Sequence, residues 1–239
     1  MLQTFKFESA SAEQSEITNV SSYLQKVKEL SQDGTILYRG HSDKCYLLKP
    51  SIGRNNGLLD NEEQIFLDFK KQYYLYADDR PTTDIDTLFL AQHFGLPTRL
   101  LDWTDNPLIA LWFACQKTEI LEGCIYTIKV PKNENIIKEE HKLDFNIFTD
   151  DPKNSIESDH LLIIPDYTNR RFLNQKGMFM WFKKPAEEIK NFPKTFVIRE
   201  KAQILQELSA LGITQSFVLP TLDNLCDDIK KRYCKEKNK

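Results

Sequence analysis

The chain has no run of roughly 18 consecutive apolar residues, so the sequence predicts no membrane-spanning helix. Its opening, MLQTFKFESASAEQSEITN, lacks the basic-then-apolar order of a secretory leader. A soluble, cytoplasmic protein with no membrane association is expected. The five cysteines, Cys45, Cys115, Cys124, Cys226 and Cys234, show no CxxC spacing, and the four histidines are dispersed. Reduced thiols are therefore expected, and no metal site. Charge of one sign is also missing. Lys and Arg number 32 against 35 Asp and Glu, a net charge of −3, so no global positive field draws the chain to nucleic acid or anionic lipid. Any anion has to be held by a local site. Internal repeats and low-complexity segments are absent as well.

What is present is a globular composition, with 41% hydrophobic and 28% charged residues in a chain of 239. Apolar spacing predicts an amphipathic helix over Ile17 to Leu30, and the β-formers of TILYRG predict a strand over Thr35 to Arg39. Asp60 and Glu63 read as a capping box for a core-packing helix running to about Ala77. Asp84 reads as the cap of a helix that Gly95 and Pro97 stop near Phe94. Thr98 to Trp103 reads as extended. Asn106 as N-cap and Pro107 at the first helical position predict a helix to about Lys117. Further strands are expected at Cys124 to Val130, Leu161 to Pro165, Gly177 to Phe182 and Thr195 to Ile198, with an irregular insertion over Lys132 to Asp159. Glu200 to Leu211 and a segment capped by Thr221 read as the last helices. Helices and strands mix without a βαβα rhythm, which predicts an α+β fold with a split, mainly antiparallel sheet and flanking helices. The expected division is a helical extension over 1–32, a main domain over 33–222, and a C-terminal helix with a basic tail over 223–239.

Three segments carry more than scaffold: LYRG at 37–40, AQHFGLPTRLLDWTDNPLIALWFA at 91–114, and NRRFLNQKGMFMWF at 169–182. Their order resembles the FRG-domain family, named for its Phe/Tyr-Arg-Gly motif, over about Leu37 to Leu222. A second similarity is to the Arg-Ser-Glu class of ADP-ribosyltransferases. Arg39, the TRLLDWT strand, the helix over Pro107 to Phe113 and the strand over Ile125 to Lys132 match its first three stations. At the fourth, where that class carries a catalytic Glu, this chain has Gln175.

These resemblances imply an ADP-ribosyltransferase-like cleft that binds a nucleotide, NAD as substrate, for ADP-ribosyl transfer or NAD cleavage by a bacterial toxin or phage-defence component. The catalytic candidates are Gln175, Asp102 and His93. The cofactor-binding candidates are Arg39, Gly40, Thr104 and Arg99. Arg39 offers a planar fork suited to phosphate, although it equally suits a pair with Asp102, and Arg99 beside Asp102 also suits a structural pair. Gln175 can orient a ribose hydroxyl but cannot supply the charge that stabilises an oxocarbenium-like cation, so Asp102 is the leading alternative carboxylate. The missing Glu also supports a different class of reading, a non-catalytic module that recognises a nucleotide, nucleic acid or partner protein. No acidic and His cluster supports a metal-dependent nuclease. Arg170 and Arg171 read as surface residues, and no cysteine lies where a nucleophile is needed.

Overall fold

The computed structural model describes residues 8–11, 13–31, 34–77, 80–130, 137–138, 147–148, 159–165, 170–190 and 192–234. In chain order the elements are β1 (Glu8–Ser9), β2 (Ser15–Ile17), α1 (Val20–Leu30), β3 (Thr35–His41), α2 (Asn56–Leu59), α3 (Glu62–Gln72), α4 (Asp84–His93), β4 (Leu100–Thr104), α5 (Pro107–Ala114), β5 (Gly123–Val130), β6 (Ile137–Lys138), β7 (His160–Ile164), α6 (Arg170–Gln175), β8 (Gly177–Phe182), β9 (Phe196–Ile198), α7 (Lys201–Ala210), α8 (Gln215–Val218) and α9 (Leu222–Tyr233). Among the described residues, no helix is long and apolar enough to cross a membrane. Most of the expected insertion over Lys132 to Asp159 lies outside the described residues.

The fold is α+β. The strands form one mainly antiparallel sheet in the order β2-β9-β5-β3-β4-β8-β7-β6, with β1 added against β5. Among the described residues, only β2 with β9 and β6 with β7 run parallel. β3 pairs with β5 along its whole length, from Thr35 opposite Val130 to His41 opposite Cys124, and β4 pairs equally fully with β8. Between these two halves, β3 and β4 meet at a single register pair, Tyr38 opposite Thr104. The sheet therefore opens beyond that pair, and the cleft described below lies over the opening.

Alternation along the strands sends side chains to two faces. On one face, α1, α5 and α7 pack on β3, β5 and β9 through Tyr23, Tyr38, Ile109, Ile125 and Ile204. On the same face, α3 and α4 cover β4, β7 and β8 through Phe66, Phe89, Leu100, Phe179 and Trp181. The opposite face is closed by Leu37, Leu101, Trp103, Met180 and Phe182, with Leu48 against them. Residues 8–30 add two strands and a helix to this sheet and core; Tyr23 is fully buried and donates its hydroxyl to the Pro107 carbonyl at 3.0 Å.

Several boundaries differ from the sequence expectation. Ile17 ends β2, and α1 starts three residues later, where the Asn19 side chain accepts from the Ser22 amide at 2.8 Å. Asp60 starts no helix: it is the C-cap of α2, and α3 begins at Glu62 without a side-chain cap. Asp84 is the first helical residue of α4, because Thr83 is the cap and forms a reciprocal box with Asp86. Beyond Gln72 the chain tightens into a short turn, so Tyr74, Leu75 and Tyr76 are exposed instead of packing in the core. Asn106, Pro107 and Thr221 act as the sequence indicated.

Candidate functional site

Over the opening between β3 and β4, the two helical layers leave a cavity of about 260 Å³. Its floor is Tyr38 and Gly40 of β3, Asp102 and Thr104 of β4, and Gly177 and Phe179 of β8. Its walls are Gln92 and His93 at the end of α4, Ile109, Ala110 and Phe113 of α5, and Gln175 at the end of α6. The structure thus brings Arg39, Gly40, His93, Asp102, Thr104 and Gln175 around one space, although the first and last lie in segments far apart in sequence.

Arg39 occupies the opening itself. Past Tyr38 the ladder to β4 is not continued, so the Asp102 carbonyl lacks a strand partner on that side and accepts from Nη1 of Arg39 at 2.6 Å. Nε of Arg39 donates to Nε2 of His41 at 2.9 Å. The guanidinium also lies 3.6 Å from the Asp102 carboxylate. Burial lowers the Arg39 pKa, and Asp102 opposes that shift. The Asp102 side chain is 55% exposed, against 15% for Arg39. A chain of hydrogen bonds fixes the carboxylate: the Thr98 hydroxyl donates to Oε1 of Gln92 at 2.6 Å, which turns the Gln92 amide so that Nε2 donates to Asp102 at 3.1 Å.

Thr104 and Gln175 are largely committed to structure. The Thr104 hydroxyl donates to the Gln175 carbonyl at 2.6 Å and accepts from the Asn106 amide at 3.0 Å, tying β4, α5 and α6 together. Nε2 of Gln175 donates to the Val218 carbonyl at 3.0 Å, and the neighbouring Asn174 bonds Phe217, so α6 holds α8. Gly40 is required by packing: a Cβ there would overlap the Ala110 carbonyl oxygen and approach the Ala114 nitrogen to 2.8 Å. Gly177 differs, since a Cβ on it would meet nothing within 4 Å.

Arg99 lies elsewhere. It is buried and bonded through Nε and Nη2 to both carboxylate oxygens of Glu62, at 2.9 and 2.6 Å, and it pairs with that residue instead of Asp102. It lines no part of the cavity. Arg170 and Arg171 fall in α6, with side chains outside the described residues. The cysteines among the described residues are all free, and burial pushes the Cys115 and Cys124 thiols up to about 12, so neither is a ready nucleophile.

Sequence reasoning passed over His41, Gln92 and the aromatic wall of Tyr38, Phe113 and Phe179. His41 was findable, because positions 39 and 41 of one strand share a face. Gln92 stands inside the QHFGLPTR segment, but its role depends on the turn that returns Thr98 to it.

Residues 34–121 match the family model described as the FRG domain. The matched stretch contains β3, α4, β4 and α5, which supply Arg39, His93, Asp102 and Phe113, while Gln175, Gly177 and Phe179 close the cavity from outside it. No curated protein and no solved structure matches the chain.

Proposed function

We propose that the cleft of this FRG domain binds the nicotinamide end of NAD and breaks its bond to the ribose, passing ADP-ribose to a target or to water. The observation that carries this reading is Arg39 and Asp102 meeting across the opening of the sheet, in a cavity walled by aromatic rings. At about 260 Å³ the cavity is at the small end of ligand pockets, which suits one ring with its sugar better than a whole dinucleotide. Tyr38, Phe113 and Phe179 line the cavity with aromatic carbon, and Arg39 has guanidinium N–H groups left over for a phosphate oxygen.

When the bond between ribose C1′ and the ring nitrogen breaks, its electron pair goes to nicotinamide and the sugar becomes oxocarbenium-like. The nucleophile then adds to C1′ and loses its proton. Asp102 is the carboxylate available to stabilise that cation. One unit charge at about 4 Å is worth about 1 kcal/mol in water but about 4 kcal/mol at an effective dielectric near 20, or roughly a thousandfold in rate. Because Asp102 is half exposed, ligand has to exclude water before the larger value applies. The free cysteines fit a reducing, cytoplasmic setting, and such an activity suits a toxin or defence component.

One observation favours the second reading, recognition without turnover. At the station where transferases carry Glu, Gln175 holds no charge and spends its amide on Val218. Incubating the pure protein with NAD, with and without cell extract, and assaying nicotinamide separates the two. Release that Asp102→Asn abolishes supports the enzyme, and nucleotide binding without release supports the recognition module.

A further inference from the structure

Helix α9 is inverted. Its polar residues face the protein: Asn224 accepts from Gln215 at 2.7 Å and donates to the Leu219 carbonyl at 2.8 Å, Asp228 accepts from the Ser216 amide at 2.7 Å, and Lys231 donates to Gln215 at 3.1 Å. Positions 224, 228 and 231 share one helical face. The opposite face carries Leu222, Leu225, Ile229 and Tyr233, exposed by 75%, 45%, 43% and 78%. No residue of α9 is buried. An amphipathic helix normally turns this stripe inward. Spacings of three and four residues are those of a seam between paired helices.

We propose that this stripe is the contact between two copies of the chain, with α9 packed antiparallel against α9 of its partner about a two-fold axis. The order of charges selects that occupant. Asp223 and Asp227 stand in the first part of α9, and Lys230, Lys231 and Arg232 in its last turn. A parallel copy sets like charge against like. Asp223 and Lys230, seven residues apart, share one flank of the stripe, so an antiparallel copy sets Asp223 beside the partner's Lys230 twice, by symmetry, with Leu225 and Ile229 at the centre. An anionic membrane surface fits less well, because Asp223 stands on the flank of the stripe.

The test is sedimentation velocity of the full chain over a concentration series. A dimer is expected, and Leu225→Glu with Ile229→Glu converts it to monomer while helicity and melting stay unchanged, because both side chains are exposed. Asp223→Lys weakens association by about tenfold or more, and combining it with Lys230→Asp restores it. Cys226 is exposed and next to Leu225, near the two-fold axis, so a short bismaleimide links wild type but not Cys226→Ser. The cross-link decides the matter even where the glutamate variant misfolds. A monomer at every concentration, a dimer indifferent to the Leu225 and Ile229 changes, or binding to anionic vesicles through this stripe overturns the proposal.

Discussion

Arg39 donates its Nε–H to Nε2 of His41, two residues along the same strand, at 2.9 Å. That bond requires a lone pair on Nε2, so His41 is neutral with its proton on Nδ1. Burial, and then the charges of Arg39 and Arg54, hold the His41 pKa down at about 2. An ordinary histidine titrates near 6.5, so between these values the unfolded chain binds a proton that the folded chain refuses. Stability is complete above the unfolded value and falls as pH drops below it, by about 2 kcal/mol from this residue at pH 5. Urea unfolding at pH 7.5 and pH 5.0 measures the slope. His41→Gln keeps an acceptor for Arg39 and is expected to remove this part of the slope; His160, whose pKa is also lowered, keeps a residual slope in place. An unchanged slope in the variant would show that His41 titrates normally.

Gly40 and Gly177 line the same cavity for opposite reasons. Gly40→Ala drives a Cβ into the backbone of α5 and is expected to cost about 1–3 kcal/mol, read as a lower melting temperature. Gly177→Val adds a side chain to open space on a strand, where β-branching is favoured, so melting is expected to hold while ligand binding is lost. Equal melting losses in both variants would remove Gly177 from the cavity.

The parts of this fold legible in the sequence were those set by local chemistry. Asn106 followed by Pro107 starts α5, and the β-branched and aromatic run at Cys124 to Val130 lies in β5, because caps and β-branching act over a few residues. Asp60 and Asp84 misled for the same reason in reverse. Each satisfies a local rule, but the chain around Asp60 is already turning out of α2, and Thr83 offers α4 a better cap one residue earlier. The convergence of Arg39, Asp102 and Gln175 was legible only through family resemblance. What was not legible depends on tertiary placement: Glu62 as the partner of Arg99, Val218 as the partner of Gln175, and the outward turn of the α9 stripe.

The Arg99–Glu62 pair gives a direct check on the displaced Arg99 assignment. Both residues are buried, and removing one leaves the other's charge uncompensated. Glu62→Ala is expected to cost about 3–5 kcal/mol, and Arg99→Met with Glu62→Leu considerably less than the two single losses together. Nucleotide affinity, measured well below the melting temperature, is expected to be unchanged in the double variant. A loss of affinity with stability intact would return Arg99 to the binding site.

Asp102 and Gln175 separate the enzyme from the binder. Asp102→Asn keeps an oxygen that accepts from Gln92 and removes only charge, so turnover is expected to fall by up to about a thousandfold while nucleotide binding persists. Gln175→Glu acts differently from a simple restoration of the transferase residue. Its carboxylate would face the Val218 carbonyl, acceptor against acceptor, in place of a 3.0 Å hydrogen bond. The expected result is a loss of about 1–3 kcal/mol in stability and no gain in nicotinamide release. Adding Gln175→Glu to Asp102→Asn is then expected not to rescue turnover. A gain from Gln175→Glu would place the catalytic carboxylate on α6 and relieve Asp102 of the role. If neither change alters a measurable NAD turnover, the chemistry lies outside this cavity altogether.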